Sequence, residues 1–280
     1  MLVSLVVSTI GRPVQMHRLL ESLQRIDNPQ AAELIVVDQT EDGASALAAE
    51  SFGLPFPVLT TRSARGLSHG RNVGLSMASG DVVTFPDDDC FYRPNTISRA
   101  LALLSDGGCA GVSGIQLTND GRASLLRWPD SARDITRANF YRTAISITLF
   151  VRTDVVREVG GFDETLGAGS REGFMSGEES DLVLRILEAG HRLRYDPSLV
   201  VLHDEPRDDL PPDFAEKMSE YGRGFGRVFK QHRLSRARFA ALLMRKWAGS
   251  AVRHVAGKPE LAEADRAFIR GALQGFRAWH

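Results

Sequence analysis

The sequence predicts an α/β protein: a mostly parallel central sheet with helices on both faces, followed by a helical C-terminal segment. Three observations carry this expectation. The apolar, β-branched runs Leu2–Ser8 and Glu33–Val37 lack polar alternation, as expected of strands covered on both faces. Between them Val14, Leu19, Leu20 and Leu23 form a helical stripe opened by Pro13, a residue suited to a first helical position. From Pro212 onward the periodicity is helical alone, over 213–230, 235–255 and 261–279.

At 280 residues, 43% hydrophobic and 25% charged, the chain has the length for one large α/β domain with a helical appendage and an ordinary globular composition. A disordered chain is excluded. The formal net charge of −1 hides an asymmetry, because from Lys217 onward basic residues outnumber acidic ones by about ten. The two cysteines, Cys90 and Cys109, form neither a disulfide framework nor a zinc pattern, which points to a reducing, cytoplasmic setting. Met1–Ile10 lacks a basic n-region and a cleavage site and reads as a first strand. No stretch approaches the roughly 18 apolar residues of a membrane span.

Taken in order, the first strand breaks at Thr9–Pro13, TIGRP, ahead of a helix through Gln24. The second ends in Asp38, followed by Gln39, Thr40 and the turn residues Asp42 and Gly43. Carboxyl ends of strands are where open α/β sheets bind ligands, so Asp38 either caps the turn or accepts hydrogen bonds from a base or ribose. A third strand is expected at Pro57–Thr60. In Arg62–Asp81, Ser68 reads as the cap of a helix with His69, Gly70 and Arg71 in its first turn, and Gly74 admits a close neighbour. The free N–H groups and positive dipole end there, with Arg65 and Arg71, suit a phosphate. A surface helix with routine arginines is the plainer reading.

The fourth strand, Asp81–Phe85, delivers three successive carboxylates within Gly80–Cys90, GDVVTFPDDDC. Asp87, Asp88 and Asp89 repel one another, and the commonest compensation is a hard divalent cation. Along an extended segment Asp87 and Asp89 leave on one side and Asp88 on the other, a D-x-D clamp. Mg²⁺ sheds water reluctantly and is usually held by one or two carboxylates plus substrate phosphates, so the clamp suggests a phosphorylated substrate. A solvated acidic turn is the alternative.

A first strand ending in S-T-I-G-R-P, a second ending in Asp38, the segment R-G-L-S-H-G-R-N-V-G-L and S-G-D-V-V-T-F-P-D-D-D together resemble, in order and spacing, the family 2 glycosyltransferases of GT-A fold, over Val3–His203. The resemblance implies a Rossmann-like GT-A domain at 1–210, with a nucleotide-binding half at 1–105 and an acceptor-binding half at 106–210. Residues 211–280 would form a basic helical extension. It also implies a nucleotide-diphosphate-sugar donor, a saccharide or lipid-linked acceptor, Mg²⁺ or Mn²⁺ as cofactor, and inversion at the anomeric carbon. Thr9, Arg12, Asp38, Arg65, Arg71, Asn72, Asp87 and Asp88 then fall to the nucleotide-sugar, and Asp89, Asp87 and His203 to the metal.

Beyond the aspartates, Pro94 and Asn95 open a helix to Leu104, and Cys109–Leu117 reads as a strand. Thr118–Phe140 is a polar loop long enough to be functional, in which Trp128 is either a stacking platform for an acceptor sugar or a core tryptophan. Ala144–Val151 reads as a strand and Thr153–Val159 as a helix. The Gly-rich run Gly160–Gly177 is expected to be a mobile lid without a core. Glu178, Glu179 and Asp181 crowd the first turn of the next helix, where acids suit the dipole. The resemblance makes one of them the general base: the family segment is usually G-E-D-x-D with the second acid as base, and here that position is Glu179, with Asp181 and Glu178 as alternatives. Arg192–Tyr195 and Leu199–Leu202 read as two short strands around Asp196 and Pro197. The second ends at His203, which resembles the V-x-H of related enzymes near the metal or diphosphate. Arg207 is a further phosphate candidate.

The segment 235–255 sets Phe239, Leu242, Leu243 and Trp247 among Arg236, Arg238, Arg245 and Lys246. Such a basic amphipathic helix either lies on an anionic membrane or docks on the chain's own acidic domain. Gly222, Gly224 and Gly226 follow no strand, which speaks against a dinucleotide fingerprint. The expectation is a metal-dependent inverting glycosyltransferase with no nucleic-acid partner, peripheral on the inner face of a membrane. A composition low in Lys and rich in Arg, Ala and Gly fits bacterial polysaccharide or glycolipid assembly. One alternative is a sugar-phosphate nucleotidyltransferase, whose Gly-rich, basic triphosphate signature TIGRP matches poorly. The other is a degenerate nucleotide-sugar-binding scaffold, favoured by Glu179 in place of Asp.

Overall fold

A computed structural model of the chain describes all residues except 123–127, 204–209 and 279–280. It divides into two compact units, Met1–Phe162 with Leu182–Glu205, and Asp163–Asp181 with Pro206–His280.

The first unit is built on one sheet. Its elements are β1 (Val3–Thr9), α1 (Pro13–Leu23), β2 (Ala32–Asp38), α2 (Ala44–Ser51), β3 (Val58–Arg62), α3 (Leu67–Met77), β4 (Val82–Thr84), β5 (Cys90–Tyr92), α4 (Thr96–Gly107), β6 (Gly111–Leu117), β7 (Arg133–Ile135), β8 (Leu149–Arg152), α5 (Thr153–Glu158) and β9 (Leu193–His203). The strand order is β3-β2-β1-β4-β8-β6-β9-β5, with β7 on β9. The β3-β2-β1-β4 portion is parallel throughout, as expected of βαβ units. Beyond it the sheet is mixed: β8 runs antiparallel to β4 and β6, and β6 pairs parallel with β9.

Burial follows the sequence pattern. Leu5, Val7, Leu34 and Val36 meet Met16, Leu19, Leu20 and Leu23 of α1 in one core. On the opposite face α3 approaches closely because position 74 has no side chain: a Cβ there would lie 2.3 Å from Val6 Cγ1. Thr9 is in register with Asp38, so β1 and β2 end at the same level.

Several expectations shift. The cap of α3 is Gly66 at φ 135, and Ser68 lies buried inside the helix. The polar loop carries the short strand β7, and residues 146–148 form a 3-10 turn before β8 begins. The two short strands around Asp196 are one, β9, whose pairing with β6 slips between Ser113 and Ile115. Asp196 Oδ1 accepts from the Ser198 N–H at 2.9 Å, holding the irregularity that Pro197 imposes.

The second unit is largely helical, with the first turn of α6 (Glu178–Glu188), then α7 (Phe214–Gln231), α8 (Arg236–Val255) and α9 (Pro259–Ala278). The glycines of α7 serve packing. A Cβ on Gly226 would sit 2.0 Å from the Ala272 carbonyl oxygen of α9, and one on Gly271 would sit 1.9 Å from that of Ser219. The two backbones touch where side chains would normally hold helices 8–10 Å apart. Phe225, Phe229, Phe239 and Phe276 fill the space beside that contact. The Gly-rich run also has anchors the reading overlooked. Leu166 and Phe174 are buried, and Arg227 of α7, itself buried, reaches Asp163 at 3.0 Å, Glu172 at 3.5 Å and the Phe174 ring at 4.7 Å. Among the described residues no helix is long and apolar enough to cross a membrane.

Candidate functional site

Topology gathers the acids of the fourth strand with residues distant in sequence. The parallel pairing of β1 with β4 sets Thr9 beside the segment that follows Thr84, and Cys90 pairs with His203 across β5 and β9. The three aspartates are therefore held by residues from separate elements. Asp88 is 1% exposed; it accepts a hydrogen bond from Thr9 Oγ1 at 2.6 Å and pairs with Arg12. Asp89 accepts from Arg12 Nη1 at 2.6 Å, and its other oxygen lies 3.2 Å from His203 Nε2. Asp87 pairs with Arg71 Nη2 at 2.9 Å. Arg71 is almost wholly buried, donates to Ser146 Oγ at 3.1 Å and stands 5.3 Å from the Phe162 ring. One guanidinium thus bridges Asp88 and Asp89 while another holds Asp87.

These surroundings separate the acids electrostatically. Burial dominates at Asp88 and raises its pKa, although Thr9 and Arg12 oppose the rise. Burial also works against the charge on Asp89, but His203 and Arg12 prevail and bring it down to about 2. Asp89 is thus held as an anion, in contrast to Asp88.

The donor set suits a hard divalent ion with few protein ligands. Asp89 Oδ1 is buried and receives no aligned hydrogen bond, yet an imidazole nitrogen sits 3.2 Å away. Carboxylate oxygen and imidazole nitrogen both ligate Mn²⁺, and Mg²⁺ commonly takes one or two carboxylates with water and phosphate filling its shell. Among the described residues no group of three or more His, Cys, Asp or Glu forms a complete cage. Substrate oxygens and water would have to supply the remaining positions.

The other sequence candidates lie as follows. Asp38 is fully buried, and its oxygens accept from the Thr40 N–H, the Thr40 hydroxyl and the Ala46 N–H at 2.6–2.9 Å, the geometry of a turn cap. Asn72 bonds the Phe162 backbone in both directions, at 2.8 and 2.9 Å, and so fixes the end of the first unit's Gly160–Phe162 turn. Arg65 is exposed before α3. Trp128 is buried and stacked on Tyr195, with centroids 5.9 Å apart and planes 8° from parallel. Arg207 lies outside the described residues.

In the second unit, Glu178, Glu179 and Asp181 occupy the first turn of α6 in unlike environments. Asp181 is fully buried, with Oδ1 2.8 Å from His232 Nε2 and 3.1 Å from Gln231 Nε2 at the end of α7. Glu178 is 6% exposed, and Glu179 is half-buried. Of the three, Glu179 has the most access to solvent, which a proton acceptor for an incoming hydroxyl needs. Asp181 instead ties the helix start to α7.

Sequence reasoning missed Ser146, Arg227, Gln231 and His232. Each acts on a partner at least 50 residues away, and none sits in a local pattern that marks it. Gln39 was noted only as a turn neighbour, yet its amide donates to Ala64 O and Gly66 O at 2.7 and 3.0 Å and shapes the entry to α3.

Comparison with known proteins agrees with this architecture. The chain is 29% identical over 215 residues to the pre-mycofactocin glycosyltransferase of Mycobacterium tuberculosis, a match covering 72% of this chain but only 42% of that longer protein. It is 25% identical over 255 residues to glycosyltransferase AglE of Haloferax volcanii, covering 86% and 79%. The succinoglycan biosynthesis protein ExoM of Rhizobium meliloti is 26% identical over 281 residues, covering 95% and 88%. Among solved structures, the mannosyltransferase PcManGT from Pyrobaculum calidifontis, in complex with GDP-Man and Mn²⁺, superposes with a TM-score of 0.69 at 16% identity over 99% of this chain and 88% of its own. That likeness shows a shared fold. The sequence profile of glycosyl transferase family 2 matches residues 4–159, more than half of the chain, and the protein belongs to that family.

Proposed function

We propose that this glycosyltransferase moves a sugar from a nucleotide-diphosphate donor to an acceptor hydroxyl with inversion, assisted by Mg²⁺ or Mn²⁺. The observation that carries the reading is the trio Asp87–Asp89, divided among Arg71, Arg12 with Thr9, and His203 at the carboxyl end of the parallel strands. That edge is where open α/β sheets bind nucleotides. The Mn²⁺ and GDP-Man bound to PcManGT lend it further support.

In this reading Asp88 is a positioning residue that fixes the Thr9–Arg12 turn, with Asp38 capping the adjacent turn, and the two turns form the wall against the nucleoside. Asp87, oriented by Arg71, faces the ribose or sugar. Asp89 and His203 hold the metal. When bound, that ion offsets the negative charge developing on the leaving diphosphate. Arg12 neutralises Asp88 and Asp89 before donor and metal arrive, and Arg65 adds positive charge for the diphosphate. Glu179 takes the proton of the attacking hydroxyl, whose own pKa lies far above neutrality. One carboxylate and one displacement lead to inversion.

The acceptor is a saccharide or a lipid-linked saccharide, and the basic helices hold the protein at a membrane face during bacterial polysaccharide or glycolipid assembly. Release of nucleoside diphosphate from a panel of nucleotide sugars, with Mn²⁺ and with EDTA, tests the assignment. Metal-dependent release from one donor is expected. Release that EDTA leaves unchanged would remove the metal from the account, and no release from any donor would favour a binding scaffold.

A further inference from the structure

α8 has two apolar faces, and among the described residues only one is buried. Phe239, Leu243 and Ser250 face the interior of the second unit. On the far side Met244, Val252 and Val255 are 70%, 69% and 89% exposed, with Trp247 at 65% on the flank. Helical periodicity aligns Met244, Ala248, Val252 and Val255 with Ala237 and Ala241 on one stripe. The helix contains no acidic residue, while Arg236, Arg238, Arg245, Lys246 and Arg253 punctuate it. Lys246 and Arg253 turn toward α9, where both pair with the buried Asp265.

A cavity of about 540 Å³ opens at the corner between α7 and α8. Lys230, Arg233 and Arg236 line it over a floor of Phe229, Leu234 and Phe276. Among the described residues, none of these three cations makes an ion pair, and no carboxylate lines the cavity. Arg233 also has φ 48, alone among the described non-glycine residues in the left-handed region. It follows the end of α7, where the left-handed cap is ordinarily glycine, so retaining arginine there costs strain that glycine would relieve. The cavity thus sets three like charges, one of them on a strained residue, around an apolar floor.

We infer that the exposed face of α8 lies on an anionic lipid bilayer, with the Lys230–Arg233–Arg236 cavity receiving a lipid headgroup phosphate. An acid-free apolar stripe with basic residues along it matches such a surface in both hydrophobicity and charge. This deepens the membrane reading given above and does not depend on the transferase assignment.

Flotation of the full chain with vesicles of phosphatidylcholine alone and of phosphatidylcholine mixed with phosphatidylglycerol is the test. Binding to the mixed vesicles only, weakened by salt, is expected. Arg233→Gly should reduce that partition roughly fivefold, the loss of one charge near an anionic surface, while leaving the melting temperature equal or higher. Trp247→Ser should also weaken it, because its ring is exposed and supplies apolar contact. Equal binding to neutral vesicles, or undiminished binding by both variants, would overturn the inference. So would thermal stabilisation by inorganic phosphate without vesicle binding, which would assign the cavity to a soluble anion. A concentration-dependent dimer abolished by Trp247→Ser, with no vesicle binding, would assign the face to a second copy. Nucleoside diphosphate binding, measured without vesicles, should be the same in Arg233→Gly, so failure of the membrane inference leaves the transferase reading intact.

Discussion

Replacing Asp89 by Asn should weaken the protein in two separable ways. A carboxyl titrating at about 2 in the fold and near 3.9 in the unfolded chain contributes about 2.6 kcal/mol to stability at neutral pH. Because the folded value is the lower one, this contribution is present above about pH 4 and lost as the pH falls through about 2. The full amount will not be lost on substitution. The charge on Asp89 burdens Asp88, whose own pKa is already raised by burial, and its removal returns part of that cost. A net loss of about 1–2 kcal/mol at pH 7 is expected without ligand. Urea denaturation of both proteins should show this gap at pH 7 and a smaller one toward about pH 3. The second effect appears with ligand. Nucleoside diphosphate at a hundred times its Kd, with Mn²⁺, should stabilise the parent by about 2.7 kcal/mol and the variant by far less. Equal stability of the two proteins at pH 7, together with identical Mn²⁺ titrations, would refute the place given to Asp89.

Glu179→Gln should abolish sugar transfer and leave nucleoside diphosphate affinity unchanged; retained turnover would move the base to another group. His232→Ala removes one donor from the fully buried Asp181 and should cost about 2–4 kcal/mol, read as a lower urea midpoint, whereas an unchanged midpoint would show that Gln231 suffices. Gly226→Ala places a methyl 2.0 Å from a carbonyl oxygen of α9, a backbone neighbour that cannot swing aside, so a loss of at least about 2 kcal/mol is expected. A melting temperature equal to the parent's would contradict the close packing of α7 and α9.

The parallel part of the fold was legible because its strands carry the signal themselves. β1 and β2 are unbroken apolar runs, and their burial on both faces requires nothing else. Gly74 was also readable, since a glycine within an amphipathic helix implies a close neighbour. The joining of two short strands into β9 was not readable, because Asp196-Pro197 reads locally as a turn and only the pairing with β6 carries the chain across it. The acids were legible as a cluster but not as individuals. Alternation predicts Asp87 and Asp89 on one side, whereas Arg12 of the β1–α1 turn holds Asp88 and Asp89 together, with His203 of β9 beside Asp89, and Arg71 of α3 takes Asp87. The packing role of the α7 glycines was not legible in the G-R-G-F-G pattern and became evident only with Gly271 and Gly275 opposite.

The central claim is that the Asp87–Asp89 segment and its partners bind a nucleoside diphosphate through a divalent ion. A thermal-shift panel of UDP, GDP, dTDP and CDP, each with and without Mn²⁺, tests it most directly. The account predicts stabilisation by one of the four that appears only with the metal and disappears in Asp89→Asn. Stabilisation that is equal without metal, or absent with all four, would contradict it.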